Sequence, residues 1–180
     1  EAVTGKAAYE LVKHREKLLR QTAAILQSSL EELSEKAQSL LDDLDTARKQ
    51  NTQMKTKVAV ADFQSKLAAF QNDKPAAVFG AVVPEADADI LRQLSDQFRS
   101  KYPSSVILLG CTPDQKPALI CSVTDDLVKM GISAGDIVKT AAALIGGSGG
   151  GRPNMAQAGG KDATRLQEAV DAGIAFVNAK

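Results

Sequence analysis

Arg152 stands in the run GGSGGGRPNMAQAGG, Gly146 to Gly160, which holds seven of the chain's thirteen glycines. Lys139, Lys161 and Arg165 surround it, set against the acids Asp136 and Asp162, so a neutral chain carries a local positive surplus here. Glycines without a Cβ expose consecutive backbone N–H groups and let another backbone come close. Peptide donors beside Arg and Lys suit phosphate and sugar oxygens. Two readings follow from these residues alone: a contact surface for RNA or DNA, and a glycine linker that holds no ligand.

Other chemistries fail on spacing. For a Walker A loop, Gly160-Lys161 supply the G-K pair, but Met155 occupies the leading glycine position and Asp162 stands where a Ser or Thr must reach Mg²⁺. For a dinucleotide fingerprint, Gly147-Ser-Gly149 begins well, yet Arg152 takes the third glycine position and the stretch follows a helical pattern, not a strand. The single histidine, His14, lies in the first helix and reads as solvated, and no C-x-x-C or H-x-x-x-H is present. The pairs Asp42-Asp43 and Asp125-Asp126 read as solvated faces or a helix cap. No catalytic constellation and no metal site is expected.

Composition narrows the field further. With 22 basic and 22 acidic residues the formal net charge is zero, so any nucleic-acid contact must be local. Aromatics make up 4% and Trp is absent, which disfavours a roomy organic-ligand site. No apolar run approaches the roughly 18–20 residues that span a bilayer. The opening Glu1-Ala-Val-Thr-Gly5 reads as neither a signal peptide nor a natural start, and the expectation is a piece of a longer chain. Cys111 and Cys121 flank the turn-like Thr112 to Pro117 and would not face each other in the simplest hairpin register, so both are expected as reduced, packed thiols of a cytosolic protein.

The elements that must position Arg152 fall into two parts, expected at residues 1–74 and 75–180. From Ala7 to about Gln27, Leu11, Leu18 and Ile25 recur at seven, an amphipathic helix. Ser28 and Ser29, each followed three residues on by Glu31 and Glu32, predict the start of a second helix. That helix carries Leu33, Ala37, Leu40, Leu44, Ala47, Asn51, Met54, Val58, Ala61, Ser65 and Ala68 in steps of four and three. About forty residues at 1.5 Å each reach roughly 60 Å. A lone helix cannot bury such a seam. The first helix folding back as an antiparallel hairpin would cover the first half, leaving the part after Asn51 for another subunit or the rest of the chain; Leu40, Leu44, Met54, Val58 and Ala61 are the candidate oligomerisation residues. A hairpin packed only within its own chain is the alternative. Beyond Lys74-Pro75 the pattern predicts strands at Ala76–Val83, Val106–Cys111 and Ala118–Val123, and helices at Asp87–Tyr102, Ser133 (the cap) to about Ile145 and Asp162 to about Asn178. The order β-α-β-β-α-loop-α predicts an α+β chain whose second part is a small α/β domain with a mixed sheet.

The run GGGRPNMAQAGG, Gly149 to Gly160, resembles closely the C-terminal motif of alanyl-tRNA synthetases, usually GGGRPDMAQAGG, and Glu1-Ala-Val-Thr-Gly5 looks like the exit from that family's editing domain. The resemblance covers the whole chain. It implies a helical linker and oligomerisation segment, then a C-terminal domain of the kind appended to DHH phosphoesterases. It further implies a cytoplasmic region that binds tRNA(Ala) at the corner where the D and T loops meet, helping the aminoacylation and editing centres act on one tRNA. Those centres lie outside this chain, so no catalysis is expected here. The ATP, Mg and Zn of the family would serve them, with no cofactor in this region. Carried over by position, Gly149, Gly150, Gly151, Arg152, Pro153, Gln157, Gly159 and Gly160 become candidate RNA-binding residues, joined by Lys139, Lys161 and Arg165. Ser148 stands where lysine is common and Asn154 where aspartate is usual, while the phosphoesterase domains carry histidine at the place of Arg152. A homodimer through the helical segment is implied, no membrane contact is, and duplex DNA stays open as a second partner. The rival expectation is a purely structural dimerisation module without RNA affinity; a phosphoesterase would need the metal cluster that is not found.

Overall fold

The computed structural model describes residues 4–71 and 75–179; the opening Glu1-Ala-Val3 and the domain boundary expected at Lys74 lie outside the described residues. The chain divides into two compact units, Glu1–Thr52 and Gln53–Lys180. In the first unit, α1 (Gly5–Leu26) ends with Gln27 in the left-handed conformation, φ 51°, and the Ser28 N–H reaches back to the Ala23 carbonyl at 2.9 Å. This is the helix stop usually built on glycine. Ser29 then starts α2 (Leu33–Ala68): its hydroxyl accepts the Glu32 N–H at 3.2 Å and donates to the Glu32 carboxylate at 3.0 Å. Of the two expected caps only Ser29 acts, because the Ser28 hydroxyl is turned to the Ser29 carbonyl. The 36 residues of α2 span about 54 Å.

The expected helical segment followed by an α/β domain is what the chain forms. In the second unit the end of α2 is followed by β1 (Ala77–Val82), α3 (Ala88–Lys101), β2 (Ser105–Cys111), β3 (Ala118–Val123), α4 (Asp125–Lys129), α5 (Ala134–Leu144), β4 (Ser148–Arg152), β5 (Met155–Gly159) and α6 (Leu166–Asn178). The sheet order is β1-β2-β3-β5-β4; β1 and β2 run parallel and the other neighbours antiparallel. Helix α3 and the last turns of α2 cover one face, α5 and α6 the other. All seven residues of β2 are buried, the reason its sequence SVILLGC reads as a continuous apolar run instead of an alternation.

Scarce as they are, the aromatics concentrate where α2 meets the sheet. Phe63 of α2 sets its ring edge-on to Phe79 of β1 at 5.8 Å, and Phe79 stacks on Phe98 of α3 at 5.4 Å. Ala59 and Phe63 are fully enclosed, with Val60, Leu67 and Phe70 packed beside them. This face differs from the seam read from the sequence. Met54 (67%) and Val58 (54%) stay exposed, as does Ala61, because the chain turns the adjacent stripe of α2 onto its own sheet.

Three expectations need correction. The glycine stretch is not a loop: it forms the antiparallel pair β4–β5, since glycine and alanine are small enough to lie flat against α5 and the backbone bonds to β3 outweigh their weak strand preference. The short α4 lies between two turn-like runs, where the pattern predicts no helix. Ser133 does precede α5, but its hydroxyl makes no cap bond; its carbonyl instead accepts the Asp136 and Ile137 N–H groups at 3.2 Å each. The two cysteines behave as expected. Cys111 lies opposite Ala118 and Cys121 opposite Leu108, on different faces of the sheet, and both thiols are free.

Candidate nucleic-acid interface

The β4–β5 hairpin turns at Pro153-Asn154, where the fixed φ of proline suits the first central turn position. Its tip is tied down on both sides: the Ala134 N–H at the start of α5 donates to the Pro153 carbonyl at 2.8 Å, and the Val123 N–H donates to Asn154 at 3.0 Å. Arg152 is therefore held on an anchored turn, exposed to solvent.

Alternation along β4 gives its three central glycines different surroundings. A Cβ on Gly149 would sit 2.3 Å from the Ala158 Cβ and 2.7 Å from Val138 Cγ1 of α5; one on Gly151 would sit 2.5 Å from the Met155 carbonyl. Close approach accounts for both. A Cβ on Gly150 would meet nothing within 4 Å. Gly150 pairs with Gln157, and this pair occupies the face of the sheet that α3 covers farther along, over β2 and β3, but leaves open at β5 and β4.

On that open face lies a cavity of about 400 Å³. Its floor is Ile120 and Met155; Gly150, Gly151 and Ala156 border it; Arg92, Arg99, Arg152, Asn154 and Gln157 supply the polar groups. Arg92 of α3 bridges to the hairpin, donating from Nη2 to Gln157 Oε1 at 3.0 Å while Nη1 pairs with Asp89 at 2.6 Å. Arg99 is held only loosely by Asp96 at 4.0 Å, and its Nε–H is buried with no acceptor. Among the described residues Arg152 makes no ion pair. Three guanidinium groups, two carboxamides and a carbon floor make an anion-attracting recess with room for a flat apolar group.

The expected RNA-binding residues separate on this frame. Gly150, Gly151, Arg152 and Gln157 line the cavity, Pro153 is exposed at the tip, and Gly149 faces α5. Lys139 is exposed on α5, which covers the other face. Gly159 ends β5; Gly160 passes so close to Ile145 that a Cβ would lie 2.6 Å from it, and the Lys161 N–H donates to the Ile145 carbonyl at 2.8 Å. Arg165 is paired with Glu168 at 2.9 Å. Beside it, the Thr164 hydroxyl and backbone N–H bond to Asp162 and hold its carboxyl below the usual range. Arg92 and Arg99 are not among the residues expected from the sequence. They stand seven apart on one side of α3, a spacing that puts two cations on one polar face of the helix.

Among the described residues no group of His, Cys, Asp and Glu could hold a metal ion, and no helix is long and apolar enough to cross a membrane.

Comparison with known proteins places this geometry among relatives. The DHHA1 domain matches residues 75–179. The chain is 39% identical over 171 residues to an alanine–tRNA ligase of Desulforamulus reducens, covering 95% of this chain and 20% of the relative. It thus spans about a fifth of the length of the curated relatives it matches. Among solved structures, the C-Ala domain of Aquifex aeolicus alanyl-tRNA synthetase is 26% identical with a TM-score of 0.47, covering 52% of this chain and 84% of that one. RecJ from Thermus thermophilus, in complex with Mg²⁺, is 16% identical with a TM-score of 0.50, covering 84% of this chain and 22% of that one, a likeness of fold.

Proposed function

Since the chain belongs to the DHHA1 domain family through residues 75–179, we propose that it serves as the tRNA(Ala)-binding and oligomerisation region of an alanine–tRNA ligase. The observation that carries this reading is the unpaired, exposed Arg152 on an anchored turn beside the open glycine face, with Arg92 and Arg99 of α3 across the recess. Folded RNA is recognised through backbone, 2′-hydroxyls and splayed bases, and such a recess offers donors to the first two and a carbon floor to the third. The hairpin face meets the tRNA corner where the D and T loops join, with Lys161, Arg165 and Lys139 adding charge around it. By holding the tRNA there, the region helps the aminoacylation and editing centres of the whole ligase act on one molecule. Charging and deacylation, with their ATP, Mg and Zn, belong to those centres; this region works in the cytoplasm without a cofactor.

If the three arginines each neutralise a phosphate, log Kd for tRNA(Ala) rises with log salt at a slope of about 2–3. The double variant Arg152→Ala/Lys161→Ala lowers binding in a low-salt gel shift while the domain stays folded. Unchanged binding removes the hairpin from the interface.

A second reading, dimerisation without RNA affinity, draws support from α2. Leu40 (40%), Leu44 (45%), Met54, Val58 and Ala61 lie exposed along it at steps of four, three and their sums. A second copy laying the same stripe against it would remove this surface from water. Sedimentation mass reports the dimer and the gel shift reports RNA, so each reading stands or falls on its own measurement.

A further inference from the structure

Gly150 is the starting point. Its neighbours Gly149 and Gly151 are required by close packing, yet a side chain at 150 would meet only open space, and that space is the cavity. Its φ does not lie in the left-handed region either, so neither backbone conformation nor packing asks for glycine here. What the missing side chain does is keep the recess open. The recess, at about 400 Å³, lies within the range of about 300–1,000 Å³ of small-ligand sites.

Its walls specify the occupant. Ile120 and Met155 present carbon, which suits the face of a base or a ribose and offers nothing to a phosphate. Gln157, whose Oε1 is taken by Arg92, keeps its amide NH₂ for an acceptor on a base edge. Arg99 has a buried Nε–H without an acceptor and only a 4.0 Å contact to Asp96, so its guanidinium is under-bonded beside the floor. Arg152 stands unpaired at the mouth. A carbon floor, an amide at the edge and two available guanidiniums match one nucleotide, base inward and phosphate outward. Bases in a duplex are stacked and cannot enter.

We propose that the cavity between α3 and the β4–β5 hairpin accepts a single unpaired nucleotide of an RNA strand, with its base against Ile120 and Met155 and its phosphate on Arg99 and Arg152. This rests on the RNA-binding reading above and names the unit that the site takes.

The test is fluorescence anisotropy with the full 180-residue chain, a labelled mixed-sequence RNA dodecamer, and the same dodecamer annealed to its complement. The single strand should bind at least tenfold tighter than the duplex. Gly150→Val, which fills the recess, should weaken the single strand at least tenfold and by more than it weakens the duplex. Arg99→Gln, which removes a phosphate contact as well, should also weaken the single strand more than the duplex, and carries the comparison if the valine variant does not fold. Millimolar 5′-AMP should displace the strand where equimolar inorganic phosphate does not. Equal affinity for strand and duplex, indifference to both variants, or competition by phosphate alone would each overturn the proposal. If tRNA(Ala) binding persists in that case, only the pocket is lost; if no RNA binds at all, the RNA-binding reading falls with it.

Discussion

Two adjacent substitutions separate packing from ligand space, Gly149→Ala and Gly150→Ala. At position 149 the added carbon would lie 2.3 Å from the Ala158 Cβ and 2.7 Å from Val138 Cγ1, where carbon atoms in contact prefer about 3.5–4.0 Å. Neither neighbour is the free end of a flexible chain. Ala158 sits in the strand paired with β4 and Val138 is enclosed in α5, so β4 must lift from α5. Overpacking of this kind costs about 1–3 kcal/mol. At position 150 the carbon meets nothing within 4 Å, and replacing glycine restricts the unfolded chain, a gain of about 0.4–1 kcal/mol. The unfolded-state gain belongs to both substitutions, so the two variants differ by the overpacking alone, roughly 1–3 kcal/mol, with Gly149→Ala the less stable. Urea unfolding read by the reactivity of Cys111 and Cys121 reports on the sheet domain, because both thiols lie in its core. The midpoint should fall for Gly149→Ala and hold or rise for Gly150→Ala. Equal midpoints, or a larger loss at 150, would refute the assignment of faces along β4.

Other consequences of the structure can be measured separately. Phe63→Ala empties the contact of α2 with Phe79 and should destabilise the second unit by about 3–5 kcal/mol in the same urea experiment. The Ser104 hydroxyl, followed by that of Thr124, holds the Asp126 carboxyl below its ordinary value of 3.8. A depressed folded value stabilises the native state above the unfolded pKa, and that contribution disappears as pH falls through the folded value. Ser104→Ala should move the Asp126 titration upward by NMR. Burial pushes the Cys111 thiol up to about 12 and that of Cys121 higher still, so neither should react with a disulfide reagent at pH 8 until the sheet unfolds.

Much of this architecture is written in periodicity. The apolar runs of β1, β2 and β3, the amphipathic face of α3 and the long α2 stand within a few residues of where pattern places them. Periodicity fails at β4 and β5, where glycine and alanine carry no strand signal and pairing to β3 decides the conformation. On α2 it finds an apolar stripe but not which stripe the chain covers itself, because Phe63 and Phe70 lie between the heptad positions and weigh little in a pattern led by Leu and Ala. The site was half legible: Arg152 and Gln157 come from one contiguous motif, whereas Arg92 and Arg99 reach the same recess from α3, through a tertiary contact that no local spacing encodes.

RNA meeting the open face of β4 and β5 underlies every role given to this region. Its most direct test is photo-crosslinking to tRNA(Ala) from a benzophenone side chain placed at Gln157, on that face, or at Asp171, exposed on α6 and so on the other. Position 157 should yield an adduct mapping to the joined D and T loops and position 171 none; an adduct from 171 with none from 157 would put RNA on the helical face and not on the hairpin.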